Sequence, residues 1–298
     1  MKPRLRLRDL SFDVVNYILL ALLGFFTLYP FINLLAVSLN DPLDTIRGQV
    51  YFLPNKFTLD NYKLVFEDHS LYMAAVRSVL RTVLGTFLSV TCTMMLAYTL
   101  TRKDFVLRKS INLMMIISMY VSGGLIPSYL LIKGLGMTNS FWVYIIPGLI
   151  GVFNVIIMRT SMEGLPDGLL ESARIEGAND FQILFRIIVP ISLPVLATIT
   201  LFNSVGHWNS WFDNYLYNTK DNLNLLQFEL MKILMQSTSQ MTSNASSTGY
   251  VDGESMKNIT PEAIRATMTI IVTFPILLVY PFLQKYFIKG ALIGAIKE

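Results

Sequence analysis

The chain has 298 residues, of which 53% are hydrophobic and 15% charged, and its formal net charge is +4. Ordinary soluble domains are about 45–50% apolar and about 25% charged, so this composition excludes most soluble classes. The single cysteine, Cys92, excludes an internal disulfide. A basic excess also occurs in nucleic-acid-binding proteins, but here it follows the membrane topology derived below, so no nucleic-acid partner is expected.

Six charge-free runs are long enough, or nearly so, to cross a bilayer. About 30 Å of hydrocarbon requires about 20 apolar residues at a rise of roughly 1.5 Å per residue. A seventh charge-free run, 233–251, is rich in Ser, Thr, Asn and Gln, so it is excluded as a span. The sequence therefore predicts an all-α polytopic membrane protein with six transmembrane helices, in the runs 14–40, 82–101, 110–132, 134–158, 187–212 and 266–284.

The distribution of Lys and Arg predicts the orientation of these spans. An even number of spans puts both termini on one side, which carries fourteen Lys and Arg residues against ten on the other. Cytoplasmic segments carry such an excess, so both termini are expected in the cytoplasm. The first run is too long for a cleavable signal, and no small-residue cleavage site follows it. The expected parts are a basic tail at 1–12, a transmembrane domain at 13–288 and a second cytoplasmic tail at 289–298.

A charged segment, 163–190, separates the fourth and fifth runs and is too polar to span the membrane. Pro166 suits the first position of a helix, and Gly177 supplies a left-handed stop. A short helix is therefore predicted to begin at Pro166 and to end just before Gly177. A second helix is predicted to begin at Asn179 or Asp180, which are both good helix caps. The segment should form a helix, a Gly corner and a second helix on the cytoplasmic side.

The third and fourth runs contain Gly and Pro in or near their middles. Such residues soften membrane helices and let neighbouring backbones approach closely. The pattern is equally typical of a bundle that moves and of ordinary close packing. The residues are Gly123, Gly124, Pro127, Pro147, Gly148 and Gly151.

The outer ends of the second and fifth helices carry candidate solute contacts. Arg77 and Arg81 are four residues apart and share a helix face. They either extend to the lipid headgroups or provide a cationic contact for an acidic sugar or a partner carboxylate. A polar external loop, 213–262, is long enough to contact another protein outside the cell. Amides and rings at the end of the fifth run belong either to an interfacial aromatic belt or to a sugar pathway: Asn203, His207, Trp208, Asn209 and Trp211.

Several kinds of chemistry are missing from the sequence. It contains no GxxxxGK[ST] phosphate loop, no dinucleotide fingerprint and no HExxH, and its two histidines are far apart. No Asp or Glu lies inside the six runs, which argues against a carrier driven by protons or sodium. We therefore expect no catalytic site, no metal site and no cofactor bound by this chain. If the chain moves a solute against its concentration gradient, a partner protein must supply the energy.

The 163–190 segment resembles the EAA loop in the membrane subunits of bacterial ABC importers. That pattern is E-A-A, three residues, G, nine residues and then I-x-L-P, and every spacing is kept here. Ser replaces the first Ala, and Val replaces Leu. The resemblance implies that the segment binds in a groove of an ATP-hydrolysing subunit and that its Gly sets the angle between the two helices. The matching residues are Glu171, Ser172, Ala173, Gly177, Ile187, Val189 and Pro190.

The resemblance covers nearly the whole chain, including the phrase LAYTLTR at 96–102. It is similar to the carbohydrate branch, whose members include the smaller permease of the maltose importer, and more so to the subgroup associated with oligosaccharide and polysaccharide fragments. This implies a MetI-like permease fold in the bacterial cell membrane. The implied partners are a second homologous permease, two cytoplasmic ATPases that bind ATP and Mg, an extracellular solute-binding protein and a sugar.

Two other functional classes remain open at this stage. One is a secondary carrier that works without ATP, and the other is a membrane scaffold or sensor subunit with no conduit. Uptake by the protein alone, without any ATPase, would identify the carrier. A bulky residue at position 177 would leave a scaffold unaffected. In the importer the same change should abolish the coupling of ATP hydrolysis while membrane insertion is retained.

Overall fold

The computed structural model describes residues 7–46, 48, 50–244 and 261–295. Over these ranges the chain is helical, with one isolated antiparallel bridge between Asn40 and Phe57 and no β-strand, as the sequence predicted. Two 3-10 turns, Phe141–Tyr144 and Asp221–Leu223, and a π-helical stretch, Ile183–Ile188, interrupt the α-helices. The helices are α1 Leu7–Ser38, α2 Pro42–Ile46, α3 Asp60–Glu67, α4 His69–Thr101, α5 Arg108–Tyr120, α6 Leu125–Gly134, α7 Val152–Glu163, α8 Asp167–Ile175, α9 Asp180–Gln182, α10 Val189–Ile191, α11 Leu193–Asn209, α12 Phe212–Tyr217, α13 Leu226–Asn244 and α14 Pro261–Ala295.

Three helices of the described residues are long and apolar enough to cross a membrane. They are Phe12–Ser38 within α1, the whole of α4, and Pro261–Pro281 within α14. The pair Asp180–Ile191 and Leu193–Asn209 passes the same test jointly, which gives four spans if the bent pair counts as one. A helical protein that crosses the membrane several times is therefore confirmed. Helix α13, which contains the described part of the excluded run, 233–244, is not among these candidates.

The third and fourth runs do not form the continuous helices that their lengths predicted. The run 110–132 is divided between α5 and α6, and Gly124 at the break has φ +84°, a conformation that residues with a side chain rarely adopt. The run 134–158 contains a 3-10 turn and an irregular stretch through Pro147 before α7 begins. Pro lacks the N–H that a continuous helix needs. Hydropathy treats Gly and Pro only as uncharged residues, so it does not predict that a helix breaks at them.

The fifth run, 187–212, also contains a corner. The helix axis turns by 87° between Ile191 and Leu193. Pro190 removes one backbone donor and crowds the preceding turn, and the helix just before it widens into the π-helical stretch. Ser192 at the corner is 3% exposed. The predicted single helix is therefore replaced by two segments that meet at a sharp bend.

The parts beyond the expected domain limits are described only partly. Helix α14 continues past 288 to Ala295, so the predicted tail at 289–298 is helical in its described residues. The loop predicted at 213–262 contains α12, a 3-10 turn and α13 as far as Asn244. Residues 245–260 of that loop, residues 1–6 of the basic tail and residues 296–298 lie outside the described ranges.

The chain divides into two compact units, and the first comprises 1–69 with 232–273. Its described residues include a buried cluster of amides after α1. The Asn40 side chain donates to the Thr45 hydroxyl over 3.1 Å and accepts from the Lys56 N–H over 2.9 Å. Asn61 donates to the carbonyls of Ser38 and Asn40 over 3.0 and 2.9 Å. Because each buried amide has partners, the cluster holds the chain firmly at its exit from α1.

The second unit comprises 70–231 with 274–298, and its core joins the 163–190 segment to the long helices. Buried apolar side chains come from α4, α7, α11 and the segment itself. The segment is thus anchored by its own apolar side chains and is more than a polar helix lying at a membrane surface. These residues are Met94, Ala97, Tyr98, Leu100, Val155, Met158, Met162, Ala173, Ile183, Leu184, Ile188, Leu196 and Ile199.

Candidate functional site

The 163–190 segment forms a helix, a Gly corner and a second helix, as predicted. Helix α8 follows Pro166 and ends at Ile175, and Gly177 has φ +82°. The second helix starts with a capping box. The Asn179 side chain accepts from the Gln182 N–H, and the Gln182 side chain accepts from the Asn179 N–H, each over 2.9 Å. The two flanking helices are therefore terminated independently, and the corner between them contains Gly177 in a left-handed conformation.

The residues of the EAA-like pattern divide between the core and the surface. Ala173 is buried at 6% exposure, whereas Glu171 and Ser172 are exposed. Two large apolar side chains on the segment are also exposed, Ile175 at 87% and Phe181 at 63%. Exposed apolar groups next to a carboxylate are typical of a surface that docks into another protein. In the last part of the pattern, Ile187 is half-buried and Pro190 is exposed.

A pocket of about 570 Å³ opens beside α8. Glu163 at the end of α7 accepts from Arg108 and Arg159, each over 2.9 Å. Arg159 also donates to Asn112 in α5 over 2.8 Å. These bonds connect α5 to α7 along one wall of the pocket. The lining residues are Thr101, Arg102, Lys103, Asp104, Arg108, Met162, Glu163, Leu165, Leu170, Glu171, Arg174 and Ile188.

Arg81 lies in the interior of the second unit. It is 3% exposed and forms an ion pair with Asp213. One guanidinium nitrogen also donates to the Ser210 carbonyl over 3.0 Å, and the guanidinium carbon lies 5.2 Å from the centre of the Tyr144 ring. The charge of Arg81 is therefore balanced by a carboxylate of the same chain, which composition could not reveal.

Arg77 lies one turn away in α4 and is half-buried. Its guanidinium donates to the Asn224 carbonyl over 3.0 Å and forms no ion pair with any residue that the structure describes. The Asn224 side chain in turn accepts from Asn214, which is fully buried. Because Ser78 also accepts from a backbone N–H in this region, the first turns of α4 are bonded closely to the residues after α11.

The candidate pathway residues on the fifth run do not form one cluster. Asn203 accepts from Asn154 over 3.2 Å, and Trp208 is 9% exposed. Asn209 is exposed, and the Trp211 ring lies 5.7 Å from that of Phe212. His207 packs against α4, as described next. The set is therefore spread around the end of α11.

His207 packs directly on the backbone of α4 at Gly85. A Cβ built on Gly85 would lie 2.7 Å from two atoms of the His207 ring. We expect Gly85→Val to lower the unfolding free energy by about 1–3 kcal/mol, the usual cost of overpacking. The measurement is thermal unfolding of the purified protein in detergent. Adding His207→Ala to Gly85→Val should recover part of the loss.

The matched control for this prediction is Gly206→Ala, because a Cβ on Gly206 meets nothing within 4 Å. Alanine is a better helix former than glycine, so Gly206→Ala should be neutral or slightly stabilising. Equal losses at positions 85 and 206 would contradict the close contact between α4 and α11.

Three residues that form contacts in the structure had no assigned role in the sequence: Asp213 pairs with Arg81, and the Tyr98 hydroxyl donates to Asp180 over 2.7 Å. Asp213 follows the fifth run directly, but only folding brings it to Arg81. Tyr98 belongs to the LAYTLTR phrase, which indicated the family resemblance but predicted no contact for Tyr98. Asp180 was predicted only as a helix start. No sequence spacing predicts that the Tyr98 hydroxyl and the Asp180 carboxylate lie close together, because they are far apart along the chain.

Comparison with known proteins identifies the chain's family. Residues 85–292 match the family described as "Binding-protein-dependent transport system inner membrane component". The polygalacturonan/rhamnogalacturonan transport system permease protein YtcP of Bacillus subtilis is 35% identical over 98% of this chain and 100% of its own length. Protein LplC of Bacillus subtilis is 37% identical over 96% of this chain and 95% of its own length.

A solved structure agrees with this match. It is described as a bacterial ABC transporter involved in the import of the acidic polysaccharide alginate. The superposed chain has a TM-score of 0.85 and 26% identity, and the alignment covers 96% of this chain and 100% of that chain. The predicted MetI-like permease fold therefore has a close structural counterpart.

These findings decide between the functional classes left open by the sequence. The protein is a membrane subunit of a bacterial transport system, and it works with a solute-binding protein and with partner subunits that hydrolyse ATP. It is neither a carrier that works alone nor a scaffold. The chain belongs to the family of binding-protein-dependent transport system inner membrane components.

Proposed function

We propose that this permease imports an oligosaccharide and that the natural solute is acidic, rich in uronic acid residues. The observation that carries the proposal is the near full-length similarity to a permease named for polygalacturonan and rhamnogalacturonan. The alginate transporter, with its acidic polysaccharide, supports the same class. Arg77 adds a cation at the start of α4 whose described partner is a carbonyl and not a carboxylate. A guanidinium in this setting suits a sugar carboxylate.

The topology proposed with this function keeps the six spans and the cytoplasmic termini. The broken runs 110–132 and 134–158 then cross the membrane as interrupted helices, which is tolerated where the irregular backbone is buried in protein or lines a cavity. The excess of Lys and Arg on the side of the termini supports the orientation. It places the 163–190 segment in the cytoplasm and the 213–262 loop outside. The tails 1–12 and 289–298 are cytoplasmic in this arrangement.

In the proposed mechanism the 163–190 segment is the ATPase-coupling site. Exposed Glu171, Ser172, Ile175 and Phe181 present the surface that an ATPase groove would hold. Ala173 belongs to the core and Ile187 packs against it, so both connect that surface to the long helices, whereas Pro190 is exposed and contributes to the bend before α11. ATP and Mg are bound by the partner ATPases. ATP binding would open the pathway outward, and hydrolysis would reset it. A solute-loaded binding protein acts by favouring one of these two conformational states, because a partner with equal affinity for both would not shift their populations.

The pathway residues are proposed from position rather than from contact with a solute. They are Arg77 and Arg81 on α4, and Asn203, His207, Trp208, Asn209 and Trp211 at the end of the fifth run. Arg81 differs from the others because Asp213 already neutralises it, so its proposed role is to shape the pathway. Arg77 is the proposed contact for a sugar carboxylate.

Uptake by the complete importer in proteoliposomes tests this function. The importer contains this chain, its permease partner, the two ATPases and the binding protein, and the probe is a labelled galacturonate oligosaccharide. Uptake should require ATP, and a neutral glucose oligosaccharide of the same length should enter several-fold more slowly. Arg77→Gln should reduce that preference.

Two outcomes would contradict parts of the proposal separately. Uptake in vesicles that lack the ATPases would contradict the ATP-driven mechanism. Equal uptake of the acidic and the neutral oligosaccharide would contradict the acidic solute class and leave the importer role in place.

A further inference from the structure

One carboxylate oxygen joins three elements of the second unit. Oδ1 of Asp180 accepts a hydrogen bond from the Tyr98 hydroxyl over 2.7 Å. The same oxygen lies 3.8 Å from Arg102 Nη2 and 3.6 Å from Arg174 Nη2. Tyr98 and Arg102 belong to the last turn of α4 and the residue after it, and Arg174 belongs to α8. Asp180 itself opens the helix beyond the Gly corner.

Asp180 is not needed to start its own helix. The N-cap is Asn179, and the capping box with Gln182 already satisfies the first backbone donors. An acid in the first turn contributes a modest dipole interaction, typically 0.3–1 kcal/mol. The hydrogen bond to a tyrosine on another helix, and the approach of one arginine from the end of that helix and of a second from α8, are not explained by capping.

The donors on α4 are held in place, although Asp180 itself is 64% exposed. The Tyr98 residue is 6% exposed and its ring belongs to the apolar core. The Arg102 side chain is 15% exposed, its guanidinium carbon lies 5.6 Å from the centre of the Tyr98 ring, and its Nε lies 3.7 Å from Asp104. An isolated surface ion pair contributes little because two mobile side chains must be ordered. Here the donors are already ordered by packing.

The covalent route from Asp180 onward to α11 is less direct. It passes through the π-helical stretch Ile183–Ile188, then Pro190, then the 87° corner before α11. Irregular stretches of this kind are typical places for a helix to bend. The Asp180 contacts bypass all three features and reach the end of α4 in one step.

We infer that Tyr98 and Arg102 are positioning residues that act through Asp180, holding the end of α4 to the 163–190 segment so that both move as one body when ATP binds to the partner subunits. The inference rests on membership of the permease family and not on the identity of the solute. It assigns a function to two residues of the LAYTLTR phrase that lie outside the EAA-like pattern.

Distance measurements between spin labels test the inference without any solute. In a Cys92→Ser background, labels at Val106→Cys and Arg186→Cys report on the turn after α4 and on the segment, and both positions are exposed. The complete importer is measured without nucleotide and after trapping with ATP and vanadate. The distance should stay the same in both states. In Tyr98→Phe and in Asp180→Asn it should change with nucleotide by more than roughly 1–2 Å, the scale of ordinary helix shifts.

The control is Tyr120→Phe, which removes a hydroxyl from an 86% exposed tyrosine at the end of α5. This control should keep the nucleotide-independent distance. The double variant Tyr98→Phe/Asp180→Asn should show no larger change than the stronger single variant, because both remove the same connection.

Two results would overturn the inference. The first is a label distance that already changes with nucleotide in the unsubstituted importer. The second is a distance that stays constant in both variants, even when their thermal stability falls, because a purely structural contact would lower stability without releasing α4 from the segment. A failure of sugar uptake leaves this measurement unchanged, so it separates this inference from the proposed solute.

Discussion

Replacing Gly177 with valine is expected to reduce ATP-dependent uptake about tenfold or more while the protein still inserts into the membrane. Gly177 has φ +82°, and a left-handed conformation costs other residues roughly 1–2 kcal/mol, with β-branched residues the worst placed. A Cβ at this position meets nothing within 4 Å, so the strain arises in the backbone alone. Relief of that strain would alter the angle between α8 and the next helix. The measurement is solute transported per ATP hydrolysed by the complete importer.

The matched control is Gly177→Asn, because asparagine is the residue after glycine that most readily adopts this conformation. The open space around the Cβ accommodates its side chain. It should retain most of the uptake, whereas Gly177→Ala should fall between the two. Equal uptake in the valine and asparagine variants would show that the corner does not transmit the movement.

Breaking the Arg81–Asp213 ion pair should have the largest effect on stability. The Arg81 side chain is 4% exposed, and its removal leaves Asp213 at 21% exposure without its counter-charge. The loss of one partner from a buried pair costs about 3–5 kcal/mol, which corresponds to a fall of roughly 10 °C in unfolding temperature for a domain of this size. We expect this fall in detergent for Arg81→Gln and for Asp213→Asn.

The double variant Arg81→Gln/Asp213→Asn should be more stable than the sum of the single losses implies, because no buried charge is left alone. The exposed pair Lys63–Asp60, with side chains 67% and 68% exposed, provides the control. Lys63→Gln should change stability by no more than about 0.5 kcal/mol. Additive losses at Arg81 and Asp213 would contradict a direct interaction between them.

The local structure of the 163–190 segment was predictable because it depends on neighbours in the sequence. Pro166, Gly177 and Asn179 each act within one or two turns through fixed φ, positive φ and side-chain capping. The structure confirms the Gly corner and the Asn179 cap, whereas Pro166 is the N-cap residue and not the first helical one, so α8 begins one residue later and ends one residue earlier than predicted. The EAA-like spacing also pointed to the correct family, because it is a short-range pattern contained within one segment.

The number and course of the membrane helices were less predictable. The length of a charge-free run shows only whether it could cross the membrane, and six runs in the sequence are long enough or nearly so. The structure breaks the third and fourth of them near Gly124 and Pro147 and bends the fifth by 87° at Ser192. Whether a Gly or Pro is accommodated within a helix or interrupts it depends on which neighbours replace the missing hydrogen bonds, and those neighbours are distant in the sequence.

By itself, the sequence determined that the protein is a helical membrane protein, indicated a transport permease, and singled out the 163–190 segment that we propose meets the ATPases. These properties follow from composition, charge distribution and short-range spacing. The tertiary structure alone decided that Arg81 is neutralised by Asp213 and that Tyr98 meets Asp180, 132 and 82 residues apart along the chain. Such pairs are chosen by the packing of α4 against the rest of the second unit, and no local rule relates one member to the other.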